Sequence, residues 1–534
     1  MSSKFKVPHT FTIVFIIIII CAIATWIVPG GEFARKTVIV DGIERTVVDA
    51  DKFQKVDRIP QTWQIFTAFF KGFVKTAHII AFIFMIGGAF WILNQTNAIN
   101  IGISAFLKST YKLQEKKVLK KIGINNIIMI LIIILFSLFG AIFGMSEETI
   151  AFIIIFVPLS ISMGYDSVVG VLICYVAAHV GFAGAMFNPF TIGIAQGLSG
   201  LPAFSGLEYR FFCWLILTVI AIVFTLLYAS KVKKNPKKSF MYEYDHYWRD
   251  KAINIEQAQE VQKSTLSTWV VYVFLSIILI VCAIKFPYTE ISIGSKTSSM
   301  LILPVIATFF AVFSFFAVRK SVHSFILMLL LLTVIMLVIG VLGYEWYVME
   351  IAGLFLAMGV LSGFAYNFKL DSIIRHFLEG CKDILTAAIV VGLAGGIIII
   401  LEDGKIVDTI LYAISRSMSG SGSEGAVGAM YFIQTLLNII IPSSSAKAAL
   451  TIPMMAEFSD IIHVSRQLTV LAFQLGDGFT NMATPTSGVL LGVLGAAKIP
   501  YTQWLKFILP FIIVLIIIGF LLLLPPLYFP FKGF

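Results

Sequence analysis

Long apolar runs of nearly constant length divide the chain. A membrane-spanning helix needs roughly 20 consecutive apolar residues, and nine runs in this sequence approach that length. They lie at 11–28, 77–94, 208–229, 267–284, 298–318, 324–342, 346–365, 383–401 and 503–525. The segments between them are too short to form a soluble domain of ordinary size. The pattern therefore predicts an all-α polytopic membrane protein.

Two apolar segments in each half of the chain are interrupted by polar residues. The segment 124–163 contains GMSEET, and 168–198 contains an Asn-Pro pair. In the C-terminal half, 426–462 contains PSSSAK and 466–496 contains a Thr-Pro pair. A backbone in hydrocarbon must satisfy its own hydrogen bonds, so such interruptions are expected only where protein or water covers them. We interpret 124–163 and 426–462 as re-entrant hairpins, and 168–198 and 466–496 as broken helices.

An ordinary pair of helices joined by an external loop is the alternative for each hairpin. It is stronger for the first hairpin, because the 19 apolar residues of 124–142 are long enough to cross. If neither hairpin crosses, the chain has about eleven transmembrane helices.

The order of these segments predicts an inverted repeat. A first repeat, 1–229, is followed by a basic loop at 230–265, by three connecting helices within 266–342, and by a second repeat, 343–534. Because an odd number of crossings separates the repeats, the second must have the opposite orientation in the membrane. Inverted repeats of this kind are common in secondary transporters.

The charge distribution sets the orientation. Charged residues make up only 13% of the chain, against 59% hydrophobic residues, and the formal net charge is +10. Lysine concentrates in 99–121 and 231–238, which the positive-inside rule assigns to the cytoplasm, whereas the connector 402–424 has no such excess. The N-terminus is then cytoplasmic, with 11–28 retained as a helix rather than cleaved as a signal peptide. The basic stretches carry no aromatic platform, so we expect no nucleic-acid partner.

Several other functional classes lack their motifs. The five cysteines show no CxxC spacing, so neither a disulfide framework nor a metal site is expected. The chain has no HExxH motif and no Walker loop, and Gln474 stands where an intramembrane aspartyl protease would need glycine, so we expect no enzyme. A channel is a further alternative, but paired hairpins in an inverted repeat favour alternating access.

Polar residues at the hairpin tips and helix breaks form the predicted substrate site. Half-helix N-termini and unwound carbonyls at such positions bind substrates and small cations near the membrane midplane of secondary transporters. Pro189 and Pro485 break their helices because proline lacks an N–H donor and clashes with the preceding turn. The predicted binding residues are Ser146, Glu147, Glu148, Thr149, Asn188, Thr191, Ser443, Ser444, Ser445, Lys447, Asp477, Asn481, Thr484, Thr486 and Ser487.

Simpler interpretations exist for single members of this set. A serine or threonine in a helix commonly bonds back to its own helix, and Lys447 could reach the membrane interface by snorkelling. Glu147 and Glu148 could lie in a solvated loop. A charge near the bilayer centre costs roughly 2.5–3.5 kcal/mol on insertion scales, so several charges at the breaks favour a functional role. His179 is an alternative proton relay, but a packing role is the commoner one for a lone histidine.

Five stretches of the chain carry a family resemblance. They are GMSEETIAF (144–152), GYDSVVGV (164–171), GFAGAMFNPFTIGIAQG (181–197), PSSSAKAALTIP (442–453) and LGDGFTNMATPTSGVLLGVLGAAKIPY (475–501). On these residues the chain resembles the YfcC-type branch of the anaerobic four-carbon dicarboxylate carrier family, within the wider ion transporter superfamily. The resemblance extends over nearly the whole chain. It implies a homodimer in the bacterial inner membrane, with a scaffold domain and an elevator-like transport domain that carries both hairpins.

The resemblance leaves two substrate classes open. Some relatives resemble dicarboxylate carriers, and others resemble antiporters of basic amino acids such as arginine and ornithine. Dicarboxylate carriers of the superfamily often have Ser-Asn-Thr at both tips, whereas this chain has Ser-Glu-Glu-Thr and Ser-Ser-Ser-Ala-Lys. The carboxylates of Glu147, Glu148 and Asp477 outnumber the ammonium of Lys447 and attract cations.

We therefore expect a basic amino acid antiporter, with a four-carbon dicarboxylate carrier coupled to protons or sodium as the alternative. An acidic side chain at the first tip would bind the basic end of the substrate. Lys447 would bind its carboxylate, or stand in for a coupling cation. No cofactor is expected beyond a coupling Na⁺ or H⁺.

Overall fold

A computed structural model of the chain describes residues 10–40, 43–99, 101–102, 105, 123–202, 204–250, 261–293, 296–344, 346, 348–417, 422–461, 464–529 and 531. Most of the lysine-rich stretch 99–121 lies outside these residues. The described chain is mostly helical, and its strands form two antiparallel hairpins. Most buried apolar side chains form one extended core across the helices, and two smaller clusters lie around Ile192 and around Met186. The predicted helical membrane-protein class is confirmed.

Eight helices and one β-hairpin of the N-terminal half have both ends within the described ranges. They are α1 (Thr10–Ile27), β1 (Gly31–Val40), β2 (Ile43–Lys55), α2 (Gln64–Lys75), α3 (Ala77–Gln95), α4 (Ile124–Phe143), α5 (Thr149–Ser162), α6 (Ser167–Gly184), α7 (Ile194–Leu198) and α8 (Leu207–Lys234). A π-helical turn at Leu172–Val176 lies inside α6, and a second at Pro189–Gly193 leads into α7. Such turns are frequent at functional sites.

The remaining elements follow a short 3₁₀ turn at Pro236–Lys238. They are α9 (Leu266–Lys285), β3 (Thr289–Ile293), β4 (Lys296–Met300), α10 (Ile302–Lys320), α11 (Val322–Tyr344), α12 (Val348–Ala365), α13 (Leu370–Asp403), α14 (Val407–Ser417), α15 (Ser423–Ile440), α16 (Ser444–Ile461), α17 (Arg466–Thr480), α18 (Gly488–Ala497), α19 (Tyr501–Leu523) and α20 (Pro525–Tyr528).

Nine helices in the described part of the chain are long and apolar enough to cross a membrane, and ten if the bent helix α13 counts as one span. They include α4, at Ile124–Ile142, which the hairpin interpretation does not count as a crossing. The predicted first crossing is represented by the shorter apolar stretch Val14–Ile27. The first part of the second predicted broken helix, 466–496, is α17, which ends at Thr480. The predictions of eleven crossings and two re-entrant hairpins therefore stay predictions.

The helix pairs α4–α5 and α15–α16 pack in equivalent ways. α4 packs closely along α6, and α15 packs closely along α17. The second helix of each pair packs against the other half of the chain: α5 contacts α18, and α16 contacts α7. Each pair therefore joins the first part of its own broken helix to the second part of the other one.

Glycines allow the close approach of α4 to α6. A Cβ atom at Gly181 would lie 1.8 Å from the carbonyl oxygen of Ser137, and one at Gly140 would lie 1.9 Å from that of Ala178. These distances leave no room for a side chain at either position. Small residues at helix interfaces are characteristic of membrane proteins, because they let backbones approach closely.

An ion pair, a hydrogen bond and a stacked ring pair hold the β1–β2 hairpin against α14. Arg35 Nη2 lies 3.0 Å from Asp408 Oδ2, and the backbone N–H of Phe33 donates to the same carboxylate. Phe53 stacks on Tyr412 with ring centroids 4.0 Å apart. Strand β2 also packs against α16. The hairpin thereby covers one end of the second helix pair.

Candidate functional site

The turn between α4 and α5 lies against the break that follows α6. Gly144, which follows α4, has a φ of +72°, a conformation that favours glycine. A Cβ atom there would lie 2.5 Å from Asn188 Oδ1. At the break itself, the backbone N–H groups of Met186 and Phe187 both donate to the carbonyl oxygen of Ala141. The first predicted tip and the first predicted break are therefore in direct contact.

A carboxylate is buried at this first tip. Glu148 is 7% exposed, and its Oε2 accepts a hydrogen bond from the backbone N–H of Ser146 at 3.0 Å. Thr149 Oγ1 donates to the carbonyl oxygen of Ser146 at 2.5 Å. Glu147 is half-buried beside it. A carboxylate has about four acceptor positions, so Glu148 can still accept hydrogen bonds from a ligand.

Asn438 and Ser444 connect the second helix pair to α17. Asn438 Nδ2 donates to the carbonyl oxygen of Asp477 at 2.9 Å, to Thr480 Oγ1 at 2.8 Å and to Asn481 Oδ1 at 3.0 Å. The Ser444 hydroxyl donates to Asp477 Oδ2. The turn between α15 and α16 is thereby bonded directly to the last part of α17.

Thr484 and Thr486 bond the second break to the end of α15. Their hydroxyls both donate to the carbonyl oxygen of Ile439, at 3.1 and 2.6 Å. Ser487 caps α18, because its Oγ accepts a hydrogen bond from the backbone N–H of Leu490 at 3.2 Å. The predicted residues after Asn481 thus hold the second break against the second helix pair.

Lys447 and Asp477 form a completely buried ion pair. Lys447 Nζ lies 2.7 Å from Asp477 Oδ1, and both side chains have 0% exposure. The ammonium also approaches the carbonyl oxygen of Gln434 at 3.5 Å and lies 4.9 Å from the centre of the Phe473 ring. A substrate carboxylate that approached Lys447 would have to compete with Asp477. The sequence predicted both residues but not their pairing.

The two broken helices touch each other beside these groups. The Tyr175 hydroxyl on α6 donates to the carbonyl oxygen of Asn481 at 2.9 Å. Gln474 Nε2 on α17 donates to the carbonyl oxygen of Phe182 at 2.5 Å. A Cβ atom at Gly478 would lie 2.5 Å from the Ala183 side chain, so the backbones are in close contact. The two breaks therefore belong to one region of the protein.

Buried acceptor oxygens without a partner collect in this region, and the one such cationic donor near the breaks in the described residues is Arg210 Nη2. Gln434 Oε1, Asn438 Oδ1 and Gln474 Oε1 have no hydrogen-bond partner among the described residues, and their side chains are fully buried. The Thr191 hydroxyl, next to the first break, also has none in that set. A buried polar atom without a partner is costly and calls for an explanation. Oxygens of this kind favour a ligand that carries N–H donors or a positive charge.

Most of the predicted residues lie in this buried region. Glu148, Thr149, Asn188, Thr191, Lys447, Asp477, Asn481, Thr484, Thr486 and Ser487 are buried, and Ser146, Glu147, Ser444 and Pro485 are half-buried. Ser443 is exposed, and the side chains of Ser445 and Pro189 lie outside the described part of the structure. His179 packs between Tyr175 and Phe182, with Nδ1 3.1 Å from the carbonyl oxygen of Tyr175, in line with a packing role.

Sequence reasoning missed several polar residues of this region. They are Tyr175, Gln434, Asn438, Gln474 and Thr480. For Gln434, Asn438 and Gln474 the available signal was an uncharged amide inside an apolar helix, next to a predicted tip or break. Such amides also occur as ordinary links between membrane helices, so this signal by itself is weak.

A second buried acidic group anchors the start of α6. Asp245 Oδ2 and Oδ1 accept hydrogen bonds from the backbone N–H and the hydroxyl of Ser167, at 2.9 and 2.6 Å. Asp166 next to it accepts hydrogen bonds from the hydroxyls of Tyr228 and Ser239, at 2.5 and 2.6 Å. Burial raises the pKa of Asp245 from 3.8 to about 6, against the opposing effect of the Ser167 hydrogen bonds.

Replacing Asp245 with asparagine is expected to reduce the pH dependence of stability between pH 3.8 and about 6. The folded protein binds this proton more tightly than the unfolded chain, so wild-type stability falls as the pH rises through that window. Unfolding temperatures measured from about pH 4 to 7 should fall less steeply in the variant. Asp250→Asn, at an exposed position in the same segment, should keep the wild-type slope. An unchanged slope in Asp245→Asn would contradict the prediction.

Comparison with known proteins identifies the family. The family model described as "DcuC: C4-dicarboxylate anaerobic carrier" matches residues 7–326 and 315–527. YfcC of Escherichia coli, whose name proposes a basic amino acid antiporter, is 32% identical over 95% of this chain and 93% of its own length. A Haemophilus influenzae protein described as uncharacterized is 26% identical over 98% of this chain and 97% of its own length.

Two solved transporters also align with the chain. The YdaH transporter of Alcanivorax borkumensis is 14% identical, with a TM-score of 0.35 and 97% of each chain covered. MtrF of Neisseria gonorrhoeae, described within a class of antimetabolite efflux pumps, is 16% identical, with a TM-score of 0.36 and 97% of this chain and 95% of its own covered. The family assignment depends on the family model and on the YfcC relative, and not on these two solved structures. The chain belongs to the DcuC family of C4-dicarboxylate anaerobic carriers and is a multi-pass membrane transporter.

Proposed function

We propose that this transporter exchanges cationic or zwitterionic amino acids, such as arginine and ornithine, across the bacterial inner membrane. The observation that carries the proposal is the set of unpartnered buried acceptor oxygens around the two breaks. Of the two buried cationic side chains near the breaks in the described part of the chain, Lys447 is paired with Asp477, and Arg210 donates to the carbonyl oxygens of Ala185 and Ser205. The carboxylate of Glu148 then remains to attract a positive group. The name of the YfcC relative points to the same substrate class.

The second candidate is a four-carbon dicarboxylate carrier coupled to protons or sodium. The family description favours it. A dianion would meet the Glu148 carboxylate and the unpartnered amide oxygens, and both repel negative charge. This candidate therefore needs protons or sodium ions to neutralise the site. The amino acid candidate needs no such addition.

The proposed mechanism is elevator-type alternating access between two inverted repeats, 1–229 and 343–534. The crossed packing of the helix pairs supports it, since α5 contacts α18 and α16 contacts α7. This arrangement ties both tips and both breaks into one unit. The helices α3, α12 and α13 pack on one another and are the candidates for the scaffold. A homodimer held by the scaffold is part of the same proposal, as are the re-entrant hairpins.

Counterflow in proteoliposomes tests the substrate. Vesicles loaded with ornithine should take up labelled arginine, and a large excess of external succinate should not reduce the uptake. Counterflow seen only with dicarboxylates would overturn the amino acid proposal and favour the second candidate.

Glu148→Gln is expected to lower arginine uptake by more than about tenfold. Hydrogen bonds to charged groups contribute about 1.5–3 kcal/mol, and the amide loses the charge of the carboxylate while keeping its shape. Initial rates of counterflow measure the effect. Asp371→Asn, at an exposed position in the first turn of α13, is the control and should transport like wild type. Equal rates for Glu148→Gln and the control would remove Glu148 from the site.

Tyr175→Phe is expected to slow exchange by about 3- to 10-fold, because the hydrogen bond to Asn481 that joins the two breaks is worth about 0.5–1.5 kcal/mol. The matched control is Tyr272→Phe, which removes another tyrosine-to-carbonyl bond of 2.9 Å, to Ala311, between α9 and α10. Both variants should lose a similar amount of stability. Only Tyr175→Phe should slow exchange, and equal exchange rates in the two variants would contradict the prediction.

A further inference from the structure

The Lys447 ammonium has the surroundings of a bound cation. It lies 2.7 Å from a carboxylate oxygen of Asp477 and 3.5 Å from the main-chain carbonyl oxygen of Gln434. The Ser444 hydroxyl bonds to the second oxygen of the Asp477 carboxylate. Carboxylates, hydroxyls and carbonyls near helix breaks are the groups that coordinate Na⁺ in secondary transporters.

The position of Lys447 in the chain also fits this description. It follows the turn between α15 and α16 and reaches back to α17, where the second break begins at Asn481. Asp477 is the acidic group that contacts it within the described residues. The long apolar stem of lysine can fill a buried space while its charged end meets the carboxylate. Both side chains are fully buried, so bulk counter-ions do not neutralise Asp477.

We infer that Lys447 is a built-in cation, which occupies the position of a coupling Na⁺ at Asp477 and makes exchange independent of sodium. This rests on the proposed function and deepens it, because it names the ion requirement of the same site. Removing the ammonium while keeping Asp477 should then create a Na⁺ site. A pair with only a structural role would not generate a sodium-specific response when the lysine is removed.

The test compares the unfolding temperatures of purified wild type, Lys447→Met and Lys447→Met/Asp477→Asn. Each is measured in NaCl and in choline chloride at equal ionic strength. Na⁺ should raise the unfolding temperature of Lys447→Met by several degrees in a saturable way, because a ligand of the folded state stabilises it. Wild type and the double variant should show no sodium-specific change. Lys498→Met, which removes a partly exposed ion pair with Asp383, is the matched control and should also show none.

Two results would overturn the inference. One is a Lys447→Met variant that does not respond to Na⁺, and the other is a wild type that is stabilised by Na⁺ as strongly as the variant. If Lys447→Met does not fold, the inference is tested by counterflow with the wild type. The counterflow rate should not change when choline replaces Na⁺ on both sides of the vesicle membrane. A loss of more than tenfold would overturn the inference.

The unfolding temperatures are measured without an amino acid substrate. Failure of arginine counterflow therefore affects the proposed substrate and leaves the sodium result to be judged separately.

Discussion

Asp477→Asn is expected to lower the free energy of unfolding by about 3–5 kcal/mol and to abolish exchange. The substitution keeps the shape of the side chain but leaves the Lys447 ammonium without a counter-charge in a fully buried site. Removing one partner of a buried ion pair costs far more than the pair itself contributes, because an uncompensated charge stays behind. The bond from Ser444 would also change, since the amide offers a weaker acceptor than the carboxylate.

A double-mutant cycle separates the pair from the rest of the site. Lys447→Met alone should be about as damaging as Asp477→Asn, whereas the double variant should recover most of the stability, because no unpaired charge remains. Asp460→Asn is the control, since its ion pair with Arg466 is 51% and 38% exposed and should contribute less than about 1 kcal/mol. Additive losses in the cycle would show that Lys447 and Asp477 do not depend on each other.

Hydrophobic pattern alone predicted the long helices well. The run 77–94 corresponds to Ala77–Gln95, and 346–365 corresponds to Val348–Ala365. Lipid imposes a minimum apolar length and allows little irregular backbone, so the sequence signal is strong. The run 383–401 is only part of α13, which begins at Leu370. Its first turns carry charged residues that a hydropathy pattern does not register.

The sequence marks part of the candidate site locally, but it does not predict the contacts between the residues. Proline and clustered hydroxyl residues mark a break locally, which is why Asn188, Asn481 and Thr484 could be found. The pairing of Lys447 with Asp477 depends on how α16 packs against α17, and no local pattern encodes that packing. Side-chain amides of the same region, those of Gln434, Asn438 and Gln474, look like ordinary links between helices.

Gly181→Ala is expected to separate α4 from α6 and to destabilise the protein by more than about 1–3 kcal/mol, the usual cost of an overpacked core. The added Cβ atom would lie 1.8 Å from the carbonyl oxygen of Ser137, and a backbone atom cannot move aside as a side chain can. Because Gly144 at the end of α4 lies against Asn188, the separation would also displace the first tip from the first break. Exchange should therefore be lost even in protein that remains folded.

Gly353→Ala provides the matched control, because a Cβ atom there meets nothing within 4 Å. Alanine is the better helix former by about 0.5–1 kcal/mol, so this variant should be at least as stable as wild type and should transport normally. The unfolding temperature and the counterflow rate are measured on both variants. The first measures the effect of the α4–α6 contact on stability, and the second measures its effect on transport. A Gly181→Ala protein that is as stable and active as Gly353→Ala would mean that α4 can move away from α6 at no cost. The close packing of the first tip on the first break would then have no part in transport.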